Sequence, residues 1–144
     1  MSRRSLVTSL ATLVDLRERE VDRLAADMAS KEAVRRRYCE SIERLRGMCT
    51  GESAPASLPM ALSLNLAGYK QAVLRMVEQH REDLALHEAD MAVTQRALAA
   101  ASQRREVLGQ VLRREQHVLR AEQGVREQKR QDELASQVWW RSER

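Results

Sequence analysis

The feature that most constrains this chain is a seven-residue repeat running from Leu66 to Trp140, a stretch without proline and with glycine only at Gly68, Gly109 and Gly124. One line of the repeat reads Val77, Leu84, Met91, Leu98, Arg105, Leu112 and Leu119, and its companion reads Val73, His80, His87, Thr94, Ala101, Leu108 and Glu115. Apolar residues split three and four keep a narrow stripe on one side of a helix, which is what a partner helix needs to form a coiled-coil seam. The rest of the chain is therefore read as what this long helix packs against.

An earlier stretch carries the same spacing through Leu10, Val14, Arg17, Val21, Leu24, Met28, Lys31, Arg35, Tyr38, Ile42, Leu45 and Cys49. Its breaks fall at Arg17, Lys31 and Arg35, where a charged head must run out along its own stem or find a partner. Ser5 is the expected N-cap, since its hydroxyl can accept from the free amides of the following turn.

Between Gly47 and Pro59 lie Thr50, Gly51, Ser53, Pro55 and Ser57, a concentration of helix breakers found nowhere else in the chain. Glycine ends helices and proline is tolerated at their first position, so this segment reads as a turn joining two antiparallel helices. The expected layout is all-α: a single helical hairpin over 1–144, with helix one at about 5–48, a turn at about 49–58 and a longer C-terminal helix two at about 59–140. Pairing back from the turn sets Leu10 opposite the region of Leu108 and leaves roughly thirty C-terminal residues unpaired, ending in Trp139 and Trp140. Leu58, Met60, Leu62, Leu64 and Leu66 alternate with small or polar residues, but a lone strand has no partner, so a helix start or apolar turn is expected. These aliphatics either cap the seam or form a partner-binding patch.

Composition agrees with long helices more than with a compact core, because aromatics are 3% with no Phe while charged residues reach 32%. The net charge of +4 comes from 25 basic and 21 acidic residues interleaved along the helices, which reads as a solvated surface and not a nucleic-acid face. Cys39 and Cys49 belong to no CxxC or Cys/His cluster, and ten residues of helix separate them by ~15 Å, too far for a disulfide. They suggest a reducing compartment, and the absence of a signal-peptide core or a bilayer-length apolar run leads to an expected cytoplasmic location.

Catalysis needs a pocket with convergent groups, and two helices side by side provide none. The chain lacks a Gly-rich phosphate loop, HExxH and GxSxG, while His80 and His87 stand two turns apart, ~10 Å, where one metal ion cannot span them. No enzyme activity, no cofactor and no metal site are expected.

Three stretches carry a resemblance. Leu10-Ala11-Thr12-Leu13 with Asp15-Leu16, Glu18 and Glu20-Val21 resembles the opening helix of the FliJ family of flagellar export proteins. Tyr69, Val73, Met76 and Gln79-His80-Arg81 resemble that family's second-helix motif, and Glu127-Gln128-Lys129-Arg130-Gln131-Asp132-Glu133 resembles its charged terminal segment. The resemblance implies a coiled-coil component of the flagellar type III export apparatus, the central stalk of a hexameric export ATPase, linked to the cytoplasmic domain of the export gate and escorting substrate chaperones. It also implies peripheral association with the inner membrane through that apparatus, without membrane insertion.

On the same basis the gate-binding surface carries over to Leu45, Met48, Tyr69, Val73, Met76 and His80. The ATPase-ring surface carries over to Leu10, Leu13, Arg126, Lys129 and Arg130. The family often has tyrosine at the position of Met48, phenylalanine at Tyr69 and glutamine at Ser41, departures that bear on gate affinity more than on fold. The alternatives are the equivalent stalk of a virulence type III secretion system and, from other classes, a basic nucleic-acid-binding or purely structural coiled coil.

Overall fold

The computed structural model describes residues 2–51 and 59–143. They form two helices, α1 (Arg3–Thr50) and α2 (Met60–Ser142), packed antiparallel with α2 the longer. Residues 52–58, which include Pro55, Ser57 and Leu58 of the expected turn, lie outside the described residues.

Both helix starts are set by backbone carbonyls just outside the helix. The Ser2 carbonyl accepts from the Leu6 amide at 3.0 Å, so α1 begins at Arg3 and Ser5 sits inside its first turn instead of capping it. Arginine is a good helix former, and nothing in Arg3-Arg4 stops the helix from extending back past Ser5. The Pro59 carbonyl accepts from the Ser63 amide at 3.1 Å, placing proline just before Met60, where its missing N–H has no helical partner to lose. The alternating run from Met60 to Leu66 is helical throughout.

The chain divides into two compact units. One is Arg23–Ala99, which holds the second half of α1 and the first part of α2. In it, steps forward along α1 are matched by steps back along α2. Lys31 meets Asp90 and Thr94, Arg35 meets Glu88, Tyr38 lies against His80 and His87, and Met48 meets Tyr69. Ile42, Val73, Val77 and Thr94 are buried along this seam.

Cys49 Sγ lies 3.9 Å from the Lys70 carbonyl, so α1 ends level with the third turn of α2. Among the described residues, no helix lies beside the part of α2 before that level. Met60 is accordingly 80% exposed and Leu64 67% exposed, so these aliphatics do not cap the seam.

The other unit is Met1–Asp22 with Ala100–Arg144. Ala101 is buried there, Arg105 bridges to Glu18 at 2.9 Å, and Arg3 reaches Glu115 at 2.6 Å and Glu122 at 3.0 Å. These last contacts carry the pairing to Glu122, further than the register counted from the turn predicts. From Gln123 to Glu143 every residue is exposed.

Candidate functional site

Within Arg23–Ala99, the level at which α1 stops leaves side chains of both helices facing outward together. Leu45, Met48, Met76 and His80 line one shallow depression of about 180 Å³ with Ser41 and Arg44. The Tyr69 hydroxyl points to the Met48 sulfur at 3.7 Å, which joins Tyr69 to the same surface. Met48, Tyr69 and Met76 are each about half exposed. Two flexible thioethers beside an aromatic ring make a surface that can adjust to an apolar partner.

Val73 does not belong to that surface. It is 4% exposed and packed in the seam, because it occupies the companion line of the heptad.

Farther along the pair from the depression, toward Lys31, the seam becomes polar. Lys31 Nζ donates to Thr94 Oγ1 at 2.7 Å and lies 2.7 Å from Asp90 Oδ2 and 3.5 Å from Asp27 Oδ2. The His87 ring Nε2 lies 2.8 Å from the Lys31 carbonyl, a distance at which its N–H donates to that oxygen. The Tyr38 ring stands 6.1 Å from His80 and 6.0 Å from His87, and His80 Nδ1 is buried without a hydrogen-bond partner.

The charges here hold one another in ionised form. The hydrogen bond to Asp90 raises the Lys31 ammonium above the ordinary lysine value against the opposing effect of burial, and Asp27 adds to it. Lys31 in turn holds the Asp90 carboxyl below the ordinary aspartate value, first by that bond and then by its charge. Arg35, bidentate on Glu32 at 3.0–3.1 Å, lowers Glu32 in the same way. Among the described residues no group of three or more His, Cys, Asp or Glu is placed to hold a metal ion, and no helix is long and apolar enough to cross a membrane.

In the unit formed by Met1–Asp22 and Ala100–Arg144, Arg126 and Arg130 line an open cleft of about 600 Å³ together with Arg3, Arg4, Glu122 and Glu127. Lys129 borders a second groove beside Val118 and Val125. Leu10 is half-buried and Leu13 is 38% exposed; both lie two or more turns along α1 from Arg3 and neither reaches the cleft. Arg3 and Arg4 were not expected at this site, since only the pairing of Arg3 with Glu122 brings the start of α1 to this part of α2. Trp139 and Trp140 are exposed and stack edge to face, with ring centroids 5.8 Å apart.

A family model for the Flagellar FliJ protein matches residues 6–144. No curated protein and no solved structure matches the chain.

Proposed function

Because this chain belongs to the FliJ family of flagellar export proteins, whose members are non-catalytic parts of the export apparatus, we propose that it is the stalk that joins the hexameric export ATPase to the export gate. The observation that carries this reading is the exposed surface of Met48, Tyr69 and Met76, with Leu45 and His80 at its edge. Half-exposed Met and Tyr side chains on a helix pair suit the apolar contact of a docked domain. The cytoplasmic domain of the gate is the partner assigned to it.

The ATPase ring is assigned to the other unit, where Arg126, Lys129 and Arg130 stand on a fully exposed helix. Solvated ion pairs are each worth only ~0.2–1 kcal/mol, so contacts made through them can be exchanged as ring subunits change state. In this reading the chain works in the cytoplasm, held at the inner membrane only through its partners, and substrate chaperones are further cargo.

The test separates the two contacts. Tyr69→Ala with Met76→Ala should weaken binding to the purified gate domain about tenfold or more, as loss of two anchoring side chains does, and leave ATPase stimulation unchanged. Truncation after Glu122 should do the reverse. Loss of both activities in both variants, with helicity intact, would refute a stalk with two separate contact sites.

A further inference from the structure

One of the two seam lines that α2 presents between Arg23 and Ala99 cannot tell one register from the next. On the α2 side the line Val77, Leu84, Met91, Leu98 is apolar at every step, so sliding α1 by seven residues exchanges one aliphatic for another. Exchanges of this kind among aliphatic residues cost little, and coiled coils fix register with polar residues instead. The polar contacts of Lys31 with Asp90 and Thr94 are different in kind, because they depend on particular residues of α2, and Arg35, held by Glu32 of its own helix, adds an ion pair with Glu88 across the seam.

We propose that the layer formed by Lys31 and Arg35 against His87, Glu88, Asp90 and Thr94 is a register lock, which selects one alignment of α1 on α2 at the expense of seam stability. In the observed alignment Lys31 meets Asp90 and Thr94 at 2.7 Å each, its carbonyl lies 2.8 Å from His87 Nε2, and Arg35 lies 3.8 Å from Glu88. One heptad toward the start of α2, Lys31 would still find an acid in Asp83, but Arg35 would face Arg81 in place of Glu88. One heptad the other way, Lys31 would face Ala97 and Ala101, lose Asp90 and Thr94, and keep only Asp27 of its own helix. Like charges across a seam and a half-buried cation stripped of its closest partners are both costly, so each neighbouring register is disfavoured by a different member of the layer.

The lock matters in this chain because apolar residues continue along α2 past the end of α1. Among the described residues no helix stands beside the first turns of α2, where Met60, Leu62 and Leu64 are exposed, and a slide of one heptad would bring α1 against these aliphatics while uncovering half-buried ones such as Leu119. Apolar burial alone therefore does not single out the observed alignment, and the polar layer does.

Register can be read by cysteine pairs in the full chain with Cys39 and Cys49 replaced by serine. Leu24→Cys with Leu98→Cys reports the observed alignment, and Leu24→Cys with Met91→Cys reports the slip. With the layer intact only the first pair should oxidise to completion. In a chain carrying Lys31→Leu, Arg35→Leu and Thr94→Leu, the slipped pair should form about fivefold faster or more, which corresponds to a modest shift between two alignments. The thermal midpoint of that chain should be unchanged or higher. A slipped pair that stays as slow as before in a helical triple variant would overturn the lock and assign the register to the connecting segment. Loss of helicity in the triple variant would also overturn it, by making the layer a source of stability.

Discussion

At the scale of single residues, Lys31 is satisfied by pairing across the seam with Asp90 and Thr94. Asp90 has its carboxyl lowered by Lys31, so its contribution to stability is complete above the ordinary aspartate value and is lost as pH falls through the lower folded value. Lys31 is raised, so its contribution is complete below the ordinary lysine value and is lost as pH climbs through the higher folded value. The melting midpoint should therefore be flat across neutral pH and fall in acid and in strong base. Asp90→Asn should flatten the acid side, and an unaltered acid limb in thermal melts would remove Asp90 from the account. Gly109 makes a separate case, because it is helical with an ordinary φ and an added Cβ would meet only the Arg113 guanidinium at 3.6 Å. Gly109→Ala should stabilise the chain by about 0.5–1 kcal/mol through helix propensity, seen as a raised midpoint in urea.

At the scale of elements, α2 has a partner helix over only part of its length. The side chains of α2 are covered in its middle and exposed both before Leu66 and after Glu122, apart from the contacts that Trp139 and Trp140 make with each other. Helix without tertiary cover is marginal in water, so amides from Gln123 to Ser142 should exchange with solvent far faster than those around Val77. Truncation after Glu122 should leave the midpoint within a few degrees of the full chain. Protection of the last turns equal to that of the seam would show that another surface covers them.

At the scale of the whole chain, the partner of α2 is the chain's own α1. Leu24 stands seven residues before Lys31 and Leu98 four after Thr94, so the pairing of Lys31 with Asp90 and Thr94 carries them to the same level. A chain with cysteines at these two positions and serine at Cys39 and Cys49 should oxidise to a monomeric product, and a predominantly dimeric product would mean that helices pair between chains. The all-α fold, the antiparallel pair and the longer second helix are all legible in the sequence, since seven-residue periodicity and one cluster of breakers determine them locally. The resemblance at Tyr69, Met76 and the segment from Glu127 to Glu133 pointed to the family that residues 6–144 match. Which residues face inward at each heptad was legible too, as the burial of Val77 and Ala101 shows. What periodicity could not supply is the level at which the two helices stop. That level depends on how α1 slides along α2, a tertiary quantity set by Lys31 with Asp90 and Thr94, by Arg3 with Glu115 and Glu122, and by Cys49 beside Lys70. From it alone follow the exposure of Met60 and Leu64 and the meeting of Arg3 and Arg4 with Arg126 and Arg130.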